Sequence, residues 1–278
     1  MLGSPRLAPR IPDPGGGSES LLTATPPPPV QLTGLSKSFK NVRAVQDISL
    51  TVEDGEFVTI VGPSGCGKST LLRLISGLIP VTAGEVLVRG TRVTAPIIEV
   101  GMVFQSPVLM PWRTTLNNIL FVAEMRGESP GKHRGRALEL IRLAGLGGFE
   151  SRRPHELSGG MQQRVSICRA LLLNPPLILM DEPFGALDVI TRERMGFELE
   201  KIWNVTKTTV IFVTHSISES VLLSDRIIVM SARPGRIMET FQVDLPRPRG
   251  RELLSHPDFV RLSAAVRTCI ESATVAEE

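Results

Sequence analysis

Tyrosine is absent from the 278 residues and aromatic side chains make up 4% of them, so any ring-stacking role falls to ten phenylalanines or two tryptophans. Cysteine is nearly as scarce. Cys66, Cys168 and Cys269 are odd in number and far apart, with no CxxC spacing, which excludes a disulfide framework and a zinc site and fits a reducing compartment. Charge is close to balanced, with a formal net charge of +3 and basic residues scattered rather than in runs, so nothing points to nucleic acid as a partner. No uncharged apolar run approaches the roughly 18 to 20 residues that span a bilayer, so work at a membrane would go through a partner. A secretory signal core is missing as well, because prolines, glycines and charges interrupt residues 1–29.

What is present is a 42% apolar content, ample for a sizeable core. Residues 1–29, with Gly15-Gly16-Gly17 and Pro26-Pro27-Pro28-Pro29, read as a disordered leader that buries too little apolar surface to offset ordering. From Val30 the pattern becomes strand-like. Residues 44–52 alternate, Glu53-Asp54-Gly55 turns, and residues 56–61 form the second arm of a hairpin, a buried strand ending at a glycine-rich loop. A helix is expected over residues 68–78, with Leu71, Leu72, Leu74, Ile75 and Leu78 on its apolar face. A strand over residues 100–104 is followed by a mostly helical insertion at about 106–155, then by a helix after Gly160 and by strands over residues 177–180, 209–214 and 226–230. Strands alternating with helices argue for a parallel α/β sheet. With no internal repeat, the pattern describes a single α/β unit. Residues 241–278 form a tail with one amphipathic helix at 255–272, placing Phe259, Leu262, Val266 and Ile270 on one face.

The loop Gly62-Pro63-Ser64-Gly65-Cys66-Gly67-Lys68-Ser69-Thr70 follows an expected strand and opens an expected helix, the context a phosphate-binding loop requires. Its glycines let main-chain N–H groups close around phosphate oxygens. Lys68 brings a point charge to the outer phosphates, and the Ser69 hydroxyl can ligate magnesium. Because Cys66 lies inside the loop, a bulky thiol reagent is expected to inhibit unless nucleotide protects. The strand at 177–180 delivers Asp181 and Glu182 at its carboxyl end, where open α/β sheets place their ligands. Asp181 suits a magnesium ion held through its waters, and Glu182 suits a water attacking the γ-phosphate. Leu157-Ser158-Gly159-Gly160-Met161 adds a second helix start with backbone donors for an anion.

In this order the motifs resemble those of ATP-binding cassette (ABC) proteins, and the similarity runs from Val30 to about Met238. The resemblance implies the P-loop NTPase fold of these ATPases, a mainly parallel sheet core with an antiparallel β subdomain and an inserted helical subdomain, over residues 30–240. It implies ATP and Mg2+ as ligands. Residues 62–70 match the Walker A motif, 157–161 the signature motif, 177–182 the Walker B motif and Ala186-Leu187-Asp188 the D-loop. The same resemblance implies that Phe39 stacks on adenine, that Gln105 senses the metal and the attacking water, and that His215 contacts the γ-phosphate. Met161 stands where many members carry glutamine; the donors at Ser158, Gly159 and Gly160 are retained.

Two phosphate-binding surfaces on one cassette call for a second molecule, and the resemblance implies a head-to-tail homodimer, each ATP lying between one P-loop and the other subunit's signature motif. Leu109-Met110-Pro111-Trp112-Arg113-Thr114, Asp181-Glu182-Pro183-Phe184 and Ala232-Arg233-Pro234-Gly235-Arg236-Ile237 resemble the nitrate, sulfonate and taurine importer branch. That resemblance implies a bacterial importer subunit at the cytoplasmic face of the inner membrane, bound to two integral-membrane permease subunits and served indirectly by an extracytoplasmic substrate-binding protein. Residues 109–113 are the candidate contact with the permease, with Trp112 as core filler the bland alternative. The competing function is a soluble ABC ATPase of repair or assembly.

Overall fold

The computed structural model describes residues 26–275. Of the leader expected at 1–29, residues 1–25 therefore lie outside the described residues. Six strands make the central sheet: β3 (Phe57–Val61), β6 (Val100–Val103), β7 (Leu177–Asp181), β8 (Thr209–Val213), β9 (Arg226–Met230) and β10 (Ile237–Gln242), ordered β10-β9-β3-β8-β7-β6. All neighbours run parallel except β10 against β9. β3 and β8 are buried at every residue, because helices or a second sheet cover both faces and leave no reason for alternation.

The second sheet is antiparallel, ordered β2-β1-β4-β5, from β1 (Val30–Phe39), β2 (Val42–Val52), β4 (Ala83–Val88) and β5 (Thr91–Arg92). Here the expected hairpin is corrected: β2 pairs with β1, while β3 belongs to the other sheet. The Glu53-Asp54-Gly55 turn, with Gly55 at φ 69°, carries the chain from one sheet to the other. Local alternation marks a strand but not its partner.

α1 (Lys68–Ile75) lies between the two sheets, its Leu71, Leu72, Leu74 and Ile75 sharing a core with Leu32, Leu35, Ile48, Val58 and Ile60. It is shorter than expected. Gly77 at φ 74° ends it where a Cβ would stand 2.1 Å from the Ala95 carbonyl oxygen, and Leu78 is left 49% exposed. On the far face, α2 (Thr115–Met125), α3 (Pro130–Leu143), α4 (Gly159–Leu171), α5 (Val189–Thr206), α6 (Ile217–Leu223) and α7 (Pro257–Val275) enclose the second core. α2 is capped by Thr114 and α3 opens on Pro130.

The chain beyond Met238 continues β10, an edge strand too exposed to leave an apolar pattern. α7 then lies against α6 and β9, burying Phe259, Val266, Cys269 and Ala273, with Leu262 and Ile270 half-buried. The connection is fastened by Arg249, buried, whose guanidinium donates to the carbonyls of Val221, Leu222, Ser224, Val243 and Leu245. Arg247 bonds Glu200 and Asp225 and stacks on Trp203.

Candidate functional site

Register assembles the site. Ile60 of β3 and Asp181 of β7 both stand opposite Val213 of β8, so the three strands end level. The loop after β3, the carboxylates ending β7 and the loop after β8 therefore open at one carboxyl edge, the place where open α/β sheets bind ligands.

The glycine-rich loop crosses that edge before α1. Gly67 has φ 103° and a Cβ there would stand 2.8 Å from the Ala44 carbonyl; one on Gly62 would stand 2.7 Å from the Met230 carbonyl. Only glycine fits both positions. Ser64 and Gly65 are exposed, Pro63 and Thr70 half-buried. Lys68, 5% exposed, donates from Nζ to the Gly62 and Pro63 carbonyl oxygens, both at 2.9 Å, so its charge sits within the loop itself.

Ser69 Oγ donates to Asp181 Oδ1 at 2.7 Å. Burial raises the Asp181 carboxyl above its usual range; the Ser69 hydrogen bond pulls it down and the Glu182 charge pushes it further up. Two hard oxygens side by side at the loop suit Mg2+, which needs only one or two protein oxygens because waters and phosphates complete its octahedron. Among the described residues no cluster of three or more His, Cys, Asp or Glu side chains competes for a metal.

Glu182 adopts φ 46°, an uncommon left-handed conformation for a non-glycine residue, while its N–H donates to the Val213 carbonyl at 2.9 Å. The kink ends the strand and leaves Glu182 Oε2 3.4 Å from His215 Nδ1. Gln105, after β6, is exposed, and its Nε2 lies 2.9 Å from where a Gly185 Cβ would be, so its amide rests on the turn following Glu182. Gln163 Nε2 donates to the Phe104 carbonyl at 3.0 Å and steadies that strand end.

The remaining candidates stand on other elements. Ser158 Oγ accepts from Met161 N–H at 3.3 Å and caps α4, leaving Ser158 and Gly159 exposed. The neighbours of Gly159 and Gly160 are Leu187, Thr191 and Met195, none of them in the glycine-rich loop. Asp188 is exposed and caps α5, accepting from Thr191 N–H at 3.0 Å. Phe39 ends β1 with 46% of its surface exposed and Lys37 Nζ 5.0 Å from its ring centroid, so its ring is no part of the core. Trp112, 69% exposed, is likewise no core filler.

Cys66 departs from expectation. It is 1% exposed and burial raises its thiol pKa, so a bulky reagent meets neither an open side chain nor a ready thiolate. The spacing placed Cys66 in the loop but could not say which way it points. Sequence reasoning also missed the clasp on this loop. Arg233 Nε donates to the Gly65 carbonyl at 2.8 Å, and Gly235 packs so closely that a Cβ would stand 2.0 Å from the Cys66 carbonyl oxygen. The only sequence signal was the Arg-Pro-Gly-Arg run itself.

The ABC transporter family model matches residues 45–185. The chain is 50% identical over 234 residues to an uncharacterized ABC transporter ATP-binding protein of Methanocaldococcus jannaschii, covering 83% of this chain and 88% of that one. It is 44% identical to the aliphatic sulfonates import ATP-binding protein SsuB of Bacillus cereus (80% and 89% covered) and 42% identical to the taurine import ATP-binding protein TauB of Rhizobium johnstonii (84% and 91%). Among solved structures, the cassette MJ0796 in a dimeric post-hydrolysis state bound to ADP and Pi superposes with a TM-score of 0.67 at 35% identity, covering 78% of this chain and all of that one. The cbiO1 subunit from Clostridium perfringens, at TM-score 0.72 and 22% identity over 84% and 94% of the chains, shares the fold.

Proposed function

This chain belongs to the ABC transporter family, and from that premise we propose that it is the ATP-hydrolysing subunit of an importer for a small solute: nitrate, a sulfonate, taurine or similar. The observation that carries the catalytic part is the convergence of Ser69 with Asp181 and of Glu182 with His215 at one sheet edge. The import names of the relatives favour this reading over a soluble repair or assembly ATPase.

The α1 amides and Lys68 bind the β- and γ-phosphates, the ammonium exchanging its carbonyl partners for phosphate oxygens. Ser69 and Asp181 are the residues to hold Mg2+, which when bound offsets phosphate charge; Gln105, whose amide rests on the turn after Glu182, is assigned to sensing the metal and the attacking water. Glu182 accepts a proton from the water whose oxygen attacks the γ-phosphorus, and the bond to the ADP oxygen breaks. His215 holds the γ-phosphate beside Glu182. Phe39, exposed on the antiparallel sheet, stacks on adenine.

The α4 start at Ser158, Gly159 and Gly160, exposed at its first two residues, is offered to the nucleotide of a second subunit, with Asp188 between the two sites. ATP then joins a homodimer, and loss of the γ-phosphate releases it. Two permease subunits dock on the helical layer. There Asn118, buried, accepts from Met110 N–H and donates to the Met110, Arg113 and Thr114 carbonyls, fixing the loop that exposes Trp112. Beside it a groove of about 320 Å³ is lined by Phe104, Val108, Met110, Phe121 and Met125. Among the described residues no helix is long and apolar enough to cross a membrane; attachment is through those partners, on the cytoplasmic face. An extracytoplasmic binding protein selects the solute.

The test is a pull-down of tagged Glu182→Gln from detergent-solubilised native membranes with ATP and Mg2+. A polytopic permease among the co-purifying chains is expected, and Trp112→Ala should reduce its recovery. Recovery of soluble partners alone, while control membrane complexes survive, would contradict the importer reading.

A further inference from the structure

α6 begins like a capping box and then departs from one. Ser216 Oγ accepts from Glu219 N–H at 3.3 Å, the first half of the motif. In the second half the glutamate would accept from the cap's own N–H. Here Ser216 N–H donates instead to Thr214 Oγ1 at 3.0 Å, and Thr214 Oγ1 donates to Glu219 Oε2 at 2.6 Å. Thr214 and Ser216 flank His215, so Glu219 holds the loop on both sides of the histidine.

That arrangement leaves Glu219 Oε1 directed elsewhere. It lies 3.8 Å from Arg192 Nε, a buried nitrogen with no hydrogen-bond partner. The same guanidinium donates from Nη2 to the Leu187 carbonyl at 3.0 Å and to the Gly185 carbonyl at 3.4 Å, both in the turn between Glu182 and Asp188. Helix capping needs neither the second carboxylate oxygen nor the arginine. A carboxylate buried away from water is costly without a charged partner, which makes a purely local role a poor account of Glu219.

We propose that Arg192 and Glu219 are a positioning pair that ties the turn between Glu182 and Asp188 to the loop carrying His215, setting the histidine relative to Glu182 for hydrolysis. The inference rests on the catalytic reading of Glu182 and His215 given above. The open 3.8 Å approach is the adjustable part: movement of the Asp188 turn when a second subunit's nucleotide engages it reaches His215 through Arg192, Glu219 and Thr214.

The test is a double-mutant cycle on the full chain, with Arg192→Ala, Glu219→Gln and the double variant, reading kcat and KM for ATP hydrolysis and the melting temperature. Glu219→Gln keeps an acceptor for Thr214 and the side-chain shape but removes the charge facing Arg192. Each single change is expected to lower kcat about tenfold with KM within about twofold, and the double variant to fall no further than the worse single one, the signature of residues acting as one unit. Thr214→Val, which removes the hydroxyl next to His215, should give the same kcat-selective loss, and Arg192→Lys should recover part of the Arg192→Ala loss. Wild-type kcat in the single variants, losses that multiply, or losses that follow the melting temperature would overturn the proposal. A wild-type protein without ATP turnover would instead overturn the hydrolase reading beneath it.

Discussion

Replacing Gly235 with alanine would put a methyl carbon 2.0 Å from the Cys66 carbonyl oxygen and 2.7 Å from Met230 Cε, against the 3.4 Å at which ordinary contact begins. The closer neighbour is backbone, inside the phosphate-binding loop, and cannot swing aside as a side chain would. Arg233 on Gly65 holds the two loops together, and the Gln46 N–H to Gly235 carbonyl bond at 2.9 Å ties the outer loop to β2. Overpacking of this kind costs about 1–3 kcal/mol. If the strain falls on the loop, ATP affinity drops about 5- to 150-fold, at roughly 1.4 kcal/mol per factor of ten. Titration with a fluorescent ATP analogue measures it, alongside thermal melting without nucleotide. Gly135→Ala is the control: it lies in α3 with nothing within 4 Å of a Cβ, so it should leave affinity unchanged and add about 0.5–1 kcal/mol of stability. Wild-type affinity and melting in Gly235→Ala would refute the clasp.

Arg249→Ala should strand five carbonyls that now share one buried guanidinium and cost about 3–5 kcal/mol, lowering Tm by about 6–20 °C for a domain of this size; a Tm within 2 °C of wild type would contradict that, on the scale of about 2–4 °C per kcal/mol. Cys66 labelling by a maleimide should be slow at pH 7 and rise through pH 9, because a raised thiol pKa keeps the thiolate fraction low below it. Complete labelling of Cys66 in folded protein within minutes at pH 7 would show the side chain to be accessible.

Sequence reached furthest where chemistry is carried by contiguous residues. The loop at 62–70 and the carboxylates after 177–180 were legible because a phosphate cradle and a strand end each need several residue types in fixed order. Their meeting depends on register, Ile60 and Asp181 both against Val213, which no local pattern encodes. The hairpin expectation failed at Gly55 for the same reason, since a turn between two alternating runs does not reveal that the strands enter different sheets. Arg192 and Glu219 were invisible. Each is one charged residue on a helix otherwise rich in charge or polarity, and only the fold turns them toward each other. The apolar face of α7 was legible from spacing, whereas its anchor Arg249 resembled any exposed arginine until its carbonyl partners were in view.

We propose that Glu182 activates the water in a site completed by a second subunit. Sedimentation of Glu182→Gln with and without ATP and Mg2+, paired with phosphate release, tests it most directly. An ATP-dependent dimer is expected that retains its nucleotide and turns over at least about 100-fold more slowly than wild type, the scale of a lost general base. Hydrolysis at the wild-type rate in that variant would remove Glu182 from the mechanism, and a monomer at saturating ATP would contradict the shared site.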